Sequence, residues 1–196
     1  MFNSNNTVLT PPVVVPKASS LAFACARGFM ADLNDGLSAI RYPRDSVSER
    51  FTESTCPPFE MGKARPLIEH AKPHAAILGY GVMAIEAAKA VSLLEDDYCV
   101  NLYDARFAKP VDEELLTSLL ERRIPILTVE DHSIKGGFGT QVLEACNRLK
   151  LDSRLVTVTG LPDDWIYQGS RGQQIEEAGV DAPTLAKHVR TMVEYA

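Results

Sequence analysis

The stretch AAILGYGVMAIEAAKA, residues 75–90, decides the fold class of this chain, because it joins an unbroken apolar run to a helical pattern at a glycine turn. A second apolar run, IPILTVE, occupies residues 124–130. Strands that are apolar on both faces are typical of a parallel sheet covered by helices on each side. The two runs therefore predict an α/β domain.

The same alternation continues in both directions along the chain. We predict strands at the apolar and β-branched segments 61–68, 75–79, 98–103, 124–129 and 154–158. We predict helices at the segments of helical periodicity 82–95, 112–122, 138–149, 171–178 and 183–195. Residues 60–196 are thus predicted to form a three-layer α/β/α domain.

The N-terminal part of the chain holds too few elements to close a core of its own. It contains a β-branched run at 13–15, a helical pattern at 18–33 and a second strand candidate at 38–42. A polar segment that ends in two prolines follows, and we interpret residues 46–59 as a linker. Residues 1–45 are therefore interpreted as the tail of another domain.

The composition excludes several classes of protein. Twenty Lys and Arg against 26 Asp and Glu give a net charge of −6, and no basic run suited to nucleic acid occurs. No apolar run reaches the length of a membrane span, and MFNSNNTVLTPP has no signal-peptide pattern. Cys25, Cys56, Cys99 and Cys146 form no CxxC pair, which favours reduced thiols over zinc or disulfides. We expect a cytoplasmic protein that binds neither nucleic acid nor membrane.

Residues 79–84, GYGVMA, fit the G-x-G-x-x-G/A pattern of a dinucleotide-binding turn, and Asp104 ends the next predicted strand. The alternative is structural. Glycine suits any tight strand-to-helix turn, and a small residue at Ala84 lets the helix pack closely. The local pattern alone leaves both interpretations open.

A glycine-rich turn, Gly136 and Gly137, follows the polar group Glu130, Asp131 and His132. A histidine beside two carboxylates suits a general base, but neighbours in sequence need not face one site. The turn lacks the phosphate-loop pattern, and G-x-S-x-G is missing from the chain. We predict no catalytic residue and interpret Glu130, His132, Gly136 and Gly137 as a candidate interface loop or a loop close to an active site. A plain flexible turn is the alternative.

Six stretches, taken in order, resemble those of the 1-deoxy-D-xylulose-5-phosphate synthase family. They are DLNDGLSAIRYPRD (32–45), MGKARPLIE (61–69), AILGYGVMAIEAAKA (76–90), DARFAKPVDEELL (104–116), LTVEDHSIKGGFGTQVLE (127–144) and TGLPDDWIYQGSRGQQIEEAGVDAPTLAKHV (159–189). RFAKPVD and GLPDD, in this order and at this spacing, are quite specific. Transketolases and the β subunits of oxo-acid dehydrogenases share parts of the pattern, but less of RYPR and GLPD.

The resemblance implies a C-terminal domain whose five-stranded sheet has one antiparallel edge strand, preceded by part of a pyrimidine-binding domain. It implies a domain that supports dimerisation and carries no nicotinamide. The family forms 1-deoxy-D-xylulose 5-phosphate and CO2 from pyruvate and D-glyceraldehyde 3-phosphate, with thiamin diphosphate and Mg²⁺. The family's G-D-G…N motif and its acid–base residues have no counterpart in this chain. We therefore expect no cofactor and no metal to bind to this chain alone, and no activity.

One substrate contact is implied at Arg44, which matches the second arginine of the family's RYPRG and would bind the phosphate of glyceraldehyde 3-phosphate. The planar guanidinium of arginine suits a phosphate. This chain departs from the pattern, because Asp45 replaces a glycine and Leu37 a proline. An anion beside Arg44 would compete for its charge. A plain surface arginine is the alternative.

Three functions remain open on the sequence. The chain is part of a synthase, or a non-catalytic assembly module, or a subunit of a split transketolase-like or oxo-acid dehydrogenase enzyme. Its partner is accordingly a second copy, as a homodimer, or a chain that supplies the thiamin-diphosphate domains. MFNSNNTVLTPP resembles the N-terminus of a protein more than the interior of a domain, which favours a short open reading frame. Apolar surface in 13–15 and 18–33 predicts self-association or poor solubility.

Overall fold

The computed structural model of the chain describes residues 13–14, 20–33, 37–40 and 57–195. The strands are β1 Val13–Val14, β2 Ala39–Ile40, β3 Arg65–Ile68, β4 Ala75–Tyr80, β5 Val100–Asp104, β6 Phe107–Lys109, β7 Ile126–Ser133 and β8 Val156–Leu161. The helices are α1 Ser20–Asp32, α2 Met83–Ser92, α3 Glu113–Glu121, α4 Phe138–Leu149, α5 Arg171–Glu177 and α6 Ala182–Tyr195. Arg44 and Asp45 lie outside the described residues.

Five strands form the main sheet in the order β3-β5-β4-β7-β8. β4 pairs in parallel with β5 and with β7, and β7 pairs in parallel with β8. β3 lies at the edge and runs antiparallel to β5. The predicted sheet, mostly parallel with one antiparallel edge strand, is therefore confirmed.

The apolar strands are explained by helices on both faces of this sheet. Ala75 and Ile77 of β4 pack into a core with α2 and α6, whereas Ala76 and Leu78 pack into a second core with α3 and α4. All four side chains are 3% exposed or less. Because successive strand residues point to opposite faces, both sets must be apolar when both faces are covered.

The start of α3 is fixed by Asp112. Its carboxylate accepts hydrogen bonds from the backbone N–H of Leu115, at 3.0 Å, and of Ala64, at 2.9 Å. The first bond caps the helix, and the second ties the helix to the chain just before β3. One side chain thus positions two elements that are far apart in the sequence.

A second, smaller sheet links the N-terminal part of the chain to the main domain. β1 and β2 pair in parallel, with α1 between them in sequence, and β6 pairs antiparallel with β1. β1, α1 and β2 lie inside the predicted segments 13–15, 18–33 and 38–42. β6 is absent from the sequence prediction, because a three-residue strand shows no periodicity and is defined only by its partner. The boundaries 1–45, 46–59 and 60–196 remain predictions.

Within the part of the chain that the structure describes, no helix has the length and apolar character needed to cross a membrane.

Candidate functional site

The carboxyl edge of the main sheet contains a topological switch point. From β4 the chain reaches β5 on one side and then crosses to β7 on the other, so the connections diverge between β4 and β7. Crevices that bind ligands form at such switch points in open α/β sheets. Glu130 and His132 are in β7, and Gly136 and Gly137 precede α4, so all four predicted loop residues lie here.

Glu130 is turned into the protein and is 1% exposed. Its carboxylate oxygens accept hydrogen bonds from the backbone N–H of Phe138, at 2.6 Å, and of Gly139, at 2.8 Å. These amides belong to the first turn of α4, where N–H groups have no partner within the helix and the helix dipole favours negative charge. The chain's own carboxylate therefore occupies the place where a bound anion would lie.

The glycines of this turn allow that close approach. A Cβ on Gly137 would lie 2.1 Å from Oε2 of Glu130, and one on Gly139 would lie 2.2 Å from Cγ1 of Val158. Gly136 has space around it but a φ of +74°, which favours glycine. The GGFG pattern is thus explained by the backbone and by packing.

Glu130, Asp131 and His132 face three different surroundings. Asp131 pairs with Arg171 of α5 at 2.8 Å. The His132 side chain is 40% exposed, and its Nδ1 lies 4.0 Å from Oε2 of Glu130, beyond hydrogen-bond distance. The three residues therefore form no acid–base constellation, although His132 remains accessible to a neighbouring surface.

The GYGVMA turn serves packing. A Cβ on Gly79 would lie 2.6 Å from Cα of Ala84, so the turn requires glycine for the close start of α2. Asp104 is 2% exposed and accepts a hydrogen bond from the backbone N–H of Arg106 at 3.3 Å. Tyr80 stacks on Phe138 with 5.0 Å between ring centroids, which fills space at the switch point. These contacts favour the structural interpretation over a dinucleotide site.

A second loop, residues 162–170, lies beside the first at this edge. It exposes two aromatic side chains, Trp165 at 82% and Tyr167 at 71%. Lys135 pairs with Asp163, and Leu161 accepts a hydrogen bond from the N–H of Ile134, so the two loops are joined. Neither Trp165 nor Tyr167 is predicted from the sequence as a site residue. Two aromatics within the polar segment GLPDDWIYQGS were the available signal.

The described residues do not fit thiamin diphosphate with Mg²⁺. They contain no group of three or more His, Cys, Asp or Glu side chains that could hold a metal ion. Mg²⁺ that bridges to a phosphate is usually held by one or two carboxylates and by waters, so the stronger observation concerns the anion site. The amides at the start of α4, which would suit a diphosphate, are already bonded to Glu130. We assign no cofactor-binding residue in this part of the chain.

The groups whose pKa values are raised by burial also lie away from the switch point. Burial raises the pKa of the Cys146 thiol in α4. Burial is likewise the largest cause that raises the pKa of the Tyr103 hydroxyl, which is bonded to Asn101. Both groups belong to the core next to the sheet, so we interpret them as structural.

A second cluster of contacts lies at Arg106, where the segment that precedes the main domain packs against it. Its guanidinium donates to the backbone carbonyl of Pro58 at 3.0 Å and of Pro57 at 3.4 Å, and it lies 4.2 Å above the ring centroid of Phe59. Phe107 contacts Phe59 and Phe29 of α1, with centroids 6.1 Å and 5.8 Å away. We call this set of residues, 57–59 with Arg106, Phe107 and Phe29, the joint. Arg106 and Phe107 belong to the stretch DARFAKP, whose pattern alone predicts no role for their side chains.

Comparison with known proteins gives a consistent set of relatives. A family model described as "Transketolase, C-terminal domain" matches residues 62–185. The 1-deoxy-D-xylulose-5-phosphate synthase of Thermus thermophilus is 41% identical over 157 residues, which is 80% of this chain and 24% of that protein. The synthase of Chlorobium phaeovibrioides is 38% identical over the same shares. The chain thus spans about a quarter of the length of the curated relatives it matches.

Solved structures show the same architecture. A structure described as "Split gene transketolase, inactive beta4 tetramer" matches with a TM-score of 0.78 and 25% identity, over 93% of this chain and 57% of that one. A transketolase from Pichia stipitis matches with a TM-score of 0.65 and 15% identity, over 94% of this chain and 25% of that one. The second match speaks for the fold alone.

Proposed function

The chain belongs to the family of transketolase C-terminal domains, and from this premise we propose that it is the C-terminal portion of a 1-deoxy-D-xylulose-5-phosphate synthase. One observation carries the proposal. Synthases from several bacteria are 34–41% identical to 80% or more of this chain. The stretches RFAKPVD and GLPDD also resemble that family's pattern.

The complete enzyme would join two carbons of pyruvate to D-glyceraldehyde 3-phosphate and release CO2. Thiamin diphosphate and Mg²⁺ would be bound by domains upstream of the region that this chain represents. The chain would contribute a rigid platform whose carboxyl edge and joint lie against those domains. It is then inactive alone, because an enzyme of this kind relies on the cofactor for its chemistry.

Arg44 is proposed as this portion's contact with the substrate phosphate. The support is the match of RYPRD to the family's RYPRG. Replacing Arg44 with Lys keeps one positive charge but removes the fork that binds two phosphate oxygens. We expect a raised KM for glyceraldehyde 3-phosphate and an unchanged KM for pyruvate in the complete enzyme.

The two loops at the carboxyl edge are proposed as a contact with the neighbouring domains or with a second copy. His132 is 40% exposed there, and Trp165 and Tyr167 project from the adjoining loop. Exposed aromatic side chains of this kind often supply the binding energy of an interface. Gly136 and Gly137 would act through the backbone by letting the loop fold against Glu130.

A second candidate is a subunit of a split transketolase-like enzyme, with the cofactor-binding domains on another chain. The observation that favours it is the "Split gene transketolase" structure, of which this chain covers 57%. The two candidates make different predictions for assembly. A split subunit would form a stable complex with a separate upstream chain, whereas a synthase portion would work when covalently fused to upstream domains.

The proposed function is tested with a chimera. The C-terminal region of the Thermus thermophilus synthase is replaced by residues 57–196 of this chain. The release of CO2 from pyruvate that depends on D-glyceraldehyde 3-phosphate is then measured. We expect activity well above that of the same synthase truncated before this region. A chimera that folds and dimerises like the parent enzyme but shows only the activity of the truncated control would contradict the proposal.

A further inference from the structure

Arg106 connects two parts of the molecule that are distant in sequence. The carbonyls it binds, on Pro57 and Pro58, are 49 and 48 residues away along the chain. Arg106 is 5% exposed, and its charge is stabilised by those two carbonyls and by the face of Phe59. A planar guanidinium bonds two acceptors and stacks on a ring at the same time, which an ammonium group does less well.

The backbone of Arg106 is also held in an unusual conformation. Its φ is +57°, in the left-handed region that residues other than glycine rarely adopt. Such a conformation persists only where the surroundings fix it. It lies between Asp104, the last residue of β5, and Phe107, the first of β6, so it turns the chain from the main sheet to the smaller one.

The elements on either side of Arg106 extend the contact. Phe107 is 1% exposed and packs in one cluster with Ala26 and Phe29 of α1 and with Ile40 of β2. β6 itself pairs with β1. Three kinds of contact therefore meet here: the hydrogen bonds of Arg106, the aromatic cluster around Phe107, and the pairing of β6 with β1.

We propose that Arg106 is a positioning residue, which clasps the segment Pro57–Phe59 so that α1 and the C-terminal domain form one body. The consequence for the enzyme rests on the proposed function. There, the clasp would present residues 20–33, 37–40 and 57–195 as a single surface to the upstream domains. Arg106 acts through the segment it holds and has no assigned contact with substrate.

Hydrogen–deuterium exchange of the full chain tests the clasp without any activity measurement. In Arg106→Met, which keeps the side-chain length but loses the donors, we expect the amides of α1 and of Phe59 to exchange about tenfold faster or more. The amides of β4 and β7 should keep the wild-type rate. In Arg106→Lys, which retains the charge above Phe59, the exchange rates in α1 should lie between those of the wild type and of Arg106→Met.

Arg123 provides a matched control. It is the same residue type at the same backbone conformation, with a φ of 56°, but its side chain is 65% exposed and pairs with Asp152 at 3.5 Å. Arg123→Met should leave exchange in α1 unchanged. Should Arg106→Met fail to fold, Arg106→Gly relieves the left-handed backbone and still removes the clasp, so it must show the same local acceleration.

Two results would overturn the proposal. One is exchange in α1 that is equal in the Arg106 and Arg123 variants. The other is acceleration of equal size in α1, β4 and β7, which would mean that Arg106 only supports global stability. An inactive chimera would contradict the proposed function and leave the exchange result standing, so the two failures are distinguishable.

Discussion

Glu130 and Arg106 are both almost completely buried charges near the carboxyl edge of one sheet, and they do opposite things. Glu130 binds amides eight and nine residues away, at the start of α4, and stays within its own domain. Arg106 binds carbonyls 48 and 49 residues away and reaches across to another part of the chain. One charge closes a place where a ligand would bind, and the other connects two parts of the molecule. A buried charge at a switch point is therefore no sign of catalysis until its partners are known.

Removal of the buried Glu130 carboxylate should have the strongest effect on stability. Glu130→Ala leaves two helix amides without an acceptor and opens a cavity, so we expect the free energy of unfolding to fall by about 2–4 kcal/mol. Denaturant unfolding measures it. Asp131→Ala, which removes a half-buried ion pair with Arg171, should cost less than about 1 kcal/mol. Equal losses in the two variants would refute the capping role of Glu130.

Alanine substitutions at the glycines next to Glu130 should destabilise the protein more where less space is available. Gly139→Ala places a methyl group 2.2 Å from Val158 and 2.8 Å from Oγ1 of Thr128, and we expect a loss of about 1–3 kcal/mol from overpacking. Gly136→Ala meets no atom within 4 Å and strains only the backbone, with a loss of about 1 kcal/mol. Thermal unfolding of both variants gives the order, and a reversed order would contradict this account of the turn.

The exposed loop should contribute to assembly and not to stability. Trp165→Ala removes a side chain that is 82% exposed, so the free energy of unfolding should change by less than about 0.5 kcal/mol. In the chimera, the same change should lower the activity or weaken dimerisation severalfold. Leu93, which is 53% exposed at the end of α2, serves as the control position. An assembly defect of the same size in Leu93→Ala would argue against an interface at the loop.

The smallest effect is a dependence on pH far from both buried charges. Arg154, which bonds the Asp152 carboxylate, lowers the pKa of that group from 3.8 to about 2. Because the folded pKa lies below the unfolded one, this contribution to stability is present above about pH 4 and is lost as the pH falls towards 2. Asp152→Asn should have a lower melting temperature than the wild type at pH 6, and the difference should shrink between pH 4 and 2. If the difference in melting temperature stays constant over that range, ionisation of the Asp152 carboxylate does not contribute to stability in this way.

Much of the main domain could be predicted from the sequence, because its signal is local. The apolar run at 75–80 covers the whole of β4, the run at 126–130 covers the buried part of β7, and the helix predicted at 138–149 coincides with α4. Patterns of this kind depend on near neighbours along the chain. The fold class followed from them, and the resemblance supplied the antiparallel edge.

The roles of individual side chains could not be predicted in the same way. β6 has three residues and exists only by pairing with β1, and the partners of Arg106 are set by how two distant segments pack. The sequence predicts Glu130 as a polar residue just after a strand, but its inward orientation depends on the path of the turn at 134–137. Contacts that depend on three-dimensional packing leave no local pattern in the sequence.

We propose that this chain completes an enzyme whose cofactor site lies in other domains. Calorimetric titration of the purified chain and of the chimera with thiamin diphosphate and Mg²⁺ is the decisive test. We expect no saturable heat with the chain alone and one cofactor bound per chain in the chimera. Saturable one-to-one binding to the chain alone would contradict it, since the chain would then contain a cofactor site of its own.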